Sequence, residues 1–112
     1  MTPFWSVLIT VKALPGKDQV YAPGSVVFAQ CFVPVMSLEE ALPRLDAFLA
    51  EEHFRRIDIS SAYRFDLDDP EEEYSLEIVK LEGREAVATG RPRIGWFVSG
   101  RDTAQLLPDA DA

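Results

Sequence analysis

Two-residue alternation of apolar and polar positions marks three strands in this chain. It runs through Phe4–Ala13, through Phe54–Phe65 and through the short segment Ile94–Ser99, all rich in β-branched or aromatic residues. Ser25–Met36 is instead apolar at both odd and even positions, apart from Gln30 in its interior. That pattern is typical of a strand covered on both faces. The pattern therefore predicts four strands, the second of which lies centrally in its sheet or at a subunit contact.

A helix is predicted over Leu38–Glu52. Ser37 and Glu40 form a capping box, in which the Ser37 hydroxyl accepts from the Glu40 amide. Apolar residues follow at helical spacing, namely Leu38, Ala41, Leu42, Leu45, Phe48 and Leu49. Pro43 lies past the first turn and lacks an N–H group, so a kink or a separate first turn is expected there.

The third strand is expected to be half-buried and parallel to the second. An unbroken alternation places one set of its side chains on a single face, namely Ile57, Ile59, Ser61, Tyr63 and Phe65. The strand follows a helix that itself follows the second strand. Such a connection is a right-handed crossover between parallel strands if both lie in one sheet.

The stretch 74–88 has two interpretations. Asp69 followed by Pro70 and three glutamates is typical of a helix start with Asp69 as N-cap, and Gly90 is typical of a helix end. Residues 74–78, however, alternate as in a strand, and Gly83 suits a hairpin turn. The start and stop signals favour the helix, and the hairpin is the alternative.

The predicted element order is β-β-α-β-α-β. It defines an α+β fold: a two-layer sandwich with one mixed or mostly antiparallel sheet of about four strands and one or two helices on one face, ferredoxin-like in general shape. Residues 1–102 are predicted to form a single domain, and residues 103–112 a polar, frayed tail. A chain of 112 residues is long enough to bury a core without a disulfide or a metal.

Composition excludes several classes of protein. The chain is 47% hydrophobic, carries a net charge of −8 and contains no apolar run of membrane-spanning length. An acidic domain without a basic stripe is a poor ligand for nucleic acid or for anionic membranes. A single cysteine, Cys31, excludes an internal disulfide, so a cytoplasmic location is expected. Arginine outnumbers lysine and asparagine is absent, which is typical of a bacterial protein from a GC-rich genome.

Acidic residues concentrate in the middle of the chain. Residues 37–90 hold 15 acidic and 6 basic residues. Six acids fall within Asp66–Glu73, namely Asp66, Asp68, Asp69, Glu71, Glu72 and Glu73. These six are the candidate binding site for a basic protein partner. The alternative is a solvated surface that keeps the protein soluble.

No residues form a recognisable catalytic, metal or cofactor motif. One histidine, His53, and one cysteine cannot make the common zinc sites, and the aspartates at 66–69 lack the glycine of a calcium loop. Phosphate-binding and dinucleotide-binding glycine motifs are absent. His53 is expected at the helix end, where a cation meets the negative end of the dipole, and Cys31 in the core. The sequence predicts no catalytic residue, no metal and no cofactor.

Aromatic side chains offer the other candidate site. Trp5, Tyr63 and Trp96 lie on three predicted strands, with Arg64 beside Tyr63. If those strands are neighbours, these four residues line a pocket or anchor an interface. The alternative is ordinary packing within the sheet and core.

Two functions of different classes follow. The favoured one is a non-catalytic protein-interaction module, an immunity- or antitoxin-like inhibitor whose acidic segment masks a basic partner. The other is a small-molecule-binding or enzymatic α+β dimer with an aromatic-lined pocket. A second copy of the chain is a further candidate partner, because it could cover an exposed apolar face of the sheet.

Overall fold

The computed structural model describes residues 2–74 and 76–99, which form one four-stranded sheet and two helices. The elements are β1 (Pro3–Ala13), β2 (Val26–Val33), α1 (Leu38–Glu51), β3 (Phe54–Asp66), α2 (Glu77–Thr89) and β4 (Arg93–Ser99). The α+β class and the element order predicted from the sequence are confirmed. The predicted tail at 103–112 lies outside the described residues.

The sheet has the order β3-β1-β2-β4, and each neighbouring pair is antiparallel. The apolar strand β2 lies between β1 and β4, which confirms its predicted central position. Both β2 and β3 run antiparallel to β1, so they are parallel to each other, as the crossover predicts. They are not neighbours, however, because β1 lies between them.

The two helices lie on opposite faces of the sheet, which corrects the prediction that they share one. Successive residues of a strand point to opposite faces. Trp5 and Val7 of β1 pack in the cluster beneath α1, whereas Phe4 packs in the cluster beneath α2. We call these sides the α1 face and the α2 face. Because β1 and β2 carry large apolar side chains on both sides, each side needs a helix to exclude water, and the domain has three layers.

Helix α1 begins where its cap predicts. The Ser37 hydroxyl accepts a hydrogen bond from the backbone N–H of Glu40 at 3.2 Å. Ala41, Leu45 and Leu49 are the buried residues, one stripe at helical spacing. Pro43 lies inside one continuous helix, with its side chain exposed. The packing of the buried stripe therefore outweighs the hydrogen bond that the proline removes.

Two irregularities in β3 change which side chains share a face. The pairing register between β3 and β1 shifts twice. As a result, Ile57 and Ser60 are extra residues of β3 with no residue of β1 opposite them. Each extra residue turns the following side chains to the other face. Ile59 therefore packs with the cluster beneath α1, whereas Phe65 packs with the cluster beneath α2. The single face predicted from unbroken alternation is wrong for this reason.

The stretch 74–88 is resolved in favour of the helix, but the predicted start is wrong. Helix α2 begins at Glu77, and the N-cap position before it is held by Leu76, which has no side-chain group that could cap the helix. The Asp69 carboxylate instead accepts from the N–H of Glu71 at 2.9 Å and so forms a turn before the helix. Gly90 ends the helix in the left-handed conformation at φ 69°, as the stop signal predicts.

Candidate functional site

Residues 66–73, which we call the acidic loop, begin with Asp66, the last residue of β3, at the edge of the sheet. The Asp66 carboxylate accepts from the backbone N–H groups of Thr2 and Asp68, both at 3.0 Å. These two hydrogen bonds lower the pKa of Asp66, because they stabilise its ionised form. The backbone N–H of Asp66 donates in turn to the Glu72 carboxylate at 2.8 Å. The loop is thus held by its own carboxylates.

The N-terminal strand anchors the acidic loop from the side. The Thr2 hydroxyl donates to the Asp68 carboxylate, and this contact is the first cause of the lowered pKa of Asp68. The backbone N–H of Leu67 donates to the Thr2 carbonyl at 3.0 Å. Two carboxylates of the loop are therefore fixed in position and held ionised.

The six predicted binding residues divide into two groups. Asp66 and Glu72 are half-buried and hold the loop together. The side chains exposed to solvent are those of Asp68, Asp69, Glu71 and Glu73. Within residues 2–74 and 76–99, no three potential metal ligands come together. What the loop presents is a fixed acidic surface, accessible to a partner.

The four residues of the predicted aromatic pocket do not form one site, and among them only Trp5 and Arg64 are cross-strand neighbours. Trp5 lies on the α1 face, where its indole N–H donates to the Met36 carbonyl at 3.3 Å, and Arg64 is its register partner in β3. Tyr63 is 64% exposed on the edge strand β3. Trp96 packs on Phe32 at the α2 face, on the opposite edge strand β4. The sequence could not show this separation, since it depends on the strand order.

A different aromatic-lined site lies on the α1 face and was missed by the sequence interpretation. It is a groove of about 560 Å³ between the end of α1, strand β4 and the β1–β2 connection, which we call the α1–β4 groove. Four aromatic residues line it: Tyr21, Phe48, Phe54 and Phe97. Three of them form a cluster, in which the centroids of Phe54 and Phe97 are 5.3 Å apart and Tyr21 lies 6.2 Å from Phe54 and 5.6 Å from Phe97. The signal in the sequence was weak, because Tyr21 belongs to a stretch interpreted only as a loop.

The rim of the α1–β4 groove is charged. Asp18 and Glu52 contribute exposed carboxylates. Arg91 also lines the groove, and its guanidinium pairs with Glu51 at 3.0 Å. Arg93 pairs with Glu82 of α2 at 2.8 Å. Both arginines at the groove therefore take part in ion pairs, that of Arg91 being solvent-exposed, whereas Asp18 and Glu52 form no ion pair among the described residues.

His53 has a structural position at the end of α1. Its backbone adopts φ 64°, and its N–H donates to the Ala50 carbonyl at 3.1 Å. The His53 carbonyl accepts from the N–H of Leu14 and from the side-chain amide of Gln19, both at 2.8 Å. The residue thus ties the β1–β2 connection to the helix. Its ring also covers Gly16, where an added Cβ would lie 2.2 Å from the imidazole.

Cys31 lies in the core, as its apolar surroundings predict. It is fully buried within the cluster beneath α1. Burial raises the pKa of its thiol to about 12, because the thiolate loses its hydration. A nucleophilic cysteine needs the opposite shift, so Cys31 packs as a small apolar residue.

Comparison with known proteins leaves the site to be interpreted from its own geometry. No family model, no curated protein and no solved structure matches this chain. Among the described residues, no helix has both the length and the apolar character needed to cross a membrane. The two surfaces on which a functional argument can rest are the acidic loop and the α1–β4 groove.

Proposed function

We propose that this protein is a non-catalytic protein-interaction module that binds a basic protein partner, as an immunity- or antitoxin-like inhibitor does. The observation that carries the proposal is the construction of the acidic loop. Its exposed carboxylates project from a backbone held by Thr2, Asp66 and Glu72. A surface that is already ordered loses less conformational entropy when a partner binds.

The charge of the loop supports the same proposal. Asp66 and Asp68 both have a lowered pKa, because N–H and O–H groups donate to their ionised forms. Both therefore stay ionised well into the acidic range. The net charge of −8 adds a long-range attraction for a basic protein, which raises the association rate and weakens with added salt.

The partner class follows from complementarity. A polypeptide surface rich in lysine and arginine, such as one that binds nucleic acid, matches the acidic loop in sign. Binding there would place carboxylates where the partner otherwise holds phosphates. This protein would therefore act by covering a basic site, without chemistry of its own.

The test compares two variants that remove the same charge from different places. The loop variant carries Asp69→Asn, Glu71→Gln and Glu73→Gln, all at exposed positions of the acidic loop. The control variant carries Glu39→Gln, Glu77→Gln and Glu85→Gln, exposed residues of the two helices. Both are used to capture proteins from a lysate of the natural source at low and at high salt.

We expect the native protein and the control variant to retain one basic protein at low salt and to release it at high salt. The loop variant should retain much less of it. Equal loss in both variants would show that only net charge matters. Absence of a basic partner at either salt would contradict the proposed function itself.

A further inference from the structure

The α1–β4 groove offers a second recognition site, separate from the acidic loop. Strand β3 begins at Phe54, in the groove, and ends at Asp66, in the acidic loop, so the two surfaces lie at opposite ends of one strand. We infer that the groove binds a guanidinium group carried on an aliphatic chain. This inference goes beyond the proposed function and does not depend on it.

The aromatic lining fits the planar part of such a ligand. Tyr21, Phe54 and Phe97 form a cluster whose centroids are 5.3 to 6.2 Å apart. Phe54 is buried at the base of this cluster, and the half-buried rings of Tyr21 and Phe97 are the ones a ligand can reach. A cation over an aromatic ring is attracted by its quadrupole, and a flat guanidinium also stacks on the ring. Val20 and Ile94 line the same groove and supply apolar surface for the aliphatic chain.

The charges of the groove select a cation over an anion. Asp18 and Glu52 lie at the rim and form no ion pair among the described residues, so each can accept hydrogen bonds from a guanidinium. An incoming anion would find the Arg91 guanidinium already bound to Glu51. It would also meet the repulsion of two carboxylates. The groove therefore favours a positively charged ligand.

Hydrogen bonds within the chain hold the wall of the groove. The side-chain amide of Gln19 donates to the His53 carbonyl at 2.8 Å, and its oxygen accepts from the N–H of Tyr21 at 3.1 Å. One side chain thus fixes the β1–β2 connection against the end of α1. The volume of about 560 Å³ is in the range of small-molecule sites.

The first experiment is an NMR titration of the whole protein with butylguanidinium and with butylurea, its neutral counterpart of nearly the same shape. We expect butylguanidinium to shift the backbone signals of Tyr21, Glu52 and Phe97, and butylurea to bind at least about tenfold more weakly. Equal binding of the two compounds would overturn the inference, as would shifts confined to the acidic loop. No binding of butylguanidinium would overturn it too.

Charge-removing variants identify the carboxylates involved. Asp18→Asn and Glu52→Gln should each weaken butylguanidinium binding by about tenfold. Asp69→Asn removes the same charge from the acidic loop and should leave the affinity unchanged. If the groove variants bind as the native protein does, the assignment is wrong. Because neither variant of the partner test changes a residue of the groove, failure of one proposal is distinguishable from failure of the other.

A second titration arm identifies the source of the guanidinium. The probe is the peptide acetyl-Gly-Arg-Gly-amide, which carries the same group on a polypeptide backbone. Binding of this peptide at the groove supports the inference and indicates an arginine side chain of a partner. Binding of butylguanidinium without binding of the peptide supports it and indicates a free small molecule.

Discussion

The two faces of the sheet are packed in different ways. Beneath α1 the fully buried part of the core is aliphatic and includes Val7, Ile9, Leu45 and Leu49, whereas the aromatic rings of the α1–β4 groove lie at its edge. Beneath α2 it is largely aromatic, formed by Phe4, Phe32, Phe65, Tyr74 and Trp96 around the small residues of the helix. Branched aliphatic side chains fill the space under a helix by interlocking with it. Large aromatic rings fit under a helix where the helix carries small residues that leave room for them.

Gly83 supplies that space on the α2 face. A Cβ added at this glycine would lie 2.2 Å from the ring of Phe4. The glycine therefore lets the helix backbone approach the ring directly. In an isolated helix the same residue lowers stability by about 1 kcal/mol relative to alanine. A residue that is unfavourable for an isolated helix can therefore be required by the packing of that helix.

The largest effect is expected on the aliphatic side. Leu45→Ala removes a fully buried side chain of α1 and should lower the free energy of unfolding by roughly 2–5 kcal/mol. The control is Leu42→Ala, at a half-buried position of the same helix, and it should lower the free energy of unfolding by less than Leu45→Ala does. Urea unfolding followed by circular dichroism measures both. Equal costs would show that the α1 core does not depend on this stripe.

Gly83→Ala tests the close approach on the aromatic side. Because the new methyl group would clash with Phe4, the variant should lose about 1–3 kcal/mol, although alanine is the better helix former. Arg84→Ala, at the exposed neighbouring position, should change stability little. A gain in stability for Gly83→Ala would mean that the ring of Phe4 moves aside freely. The aromatic face would then pack no more tightly than the aliphatic one.

Tyr74→Phe addresses the polar atom within the aromatic cluster. The Tyr74 hydroxyl is buried, and no hydrogen-bond partner for it occurs among the described residues. The ring stacks on Phe65 at 5.1 Å, a contact that phenylalanine retains. Removing the unsatisfied hydroxyl should raise stability by about 1 kcal/mol. Tyr63→Phe, at an exposed position, is the control, and a loss of stability in Tyr74→Phe alone would contradict this account.

The smallest effect concerns the acidic loop, which leads from β3 to α2. The pKa of Asp66 is lowered in the folded protein, first by the N–H of Thr2 and then by that of Asp68. Its contribution to stability is therefore complete above the pKa of an unfolded aspartate and is lost as the pH falls through the lower folded value. Asp66→Asn should reduce the difference between urea midpoints at neutral and acidic pH. An unchanged difference would exclude a role for this carboxylate in acid stability.

Prediction from the sequence succeeded where neighbouring residues determine the structure. The cap at Ser37 and the apolar stripe of α1 placed that helix within one residue at each end. The buried position of Cys31 followed from its apolar strand. The predicted start of α2 was wrong, because an aspartate such as Asp69 stabilises a turn as readily as it caps a helix. The sequence of residues 66–76 does not distinguish between these two roles. The sequence named the six acidic residues as a candidate surface, but it could not divide them into those that hold the loop and those that face solvent.

Periodicity and caps within a few residues were enough to predict the four strands, the first helix, the acidic segment and the α+β class. Three features instead depend on the tertiary structure: the helices lie on opposite faces, Ile57 and Ser60 interrupt the alternation of β3, and Trp5 and Trp96 lie apart. The tertiary structure also forms the α1–β4 groove, whose aromatic residues come from segments far apart in the chain. These features depend on strand order and on contacts across the sheet, and no local pattern of residues specifies either one.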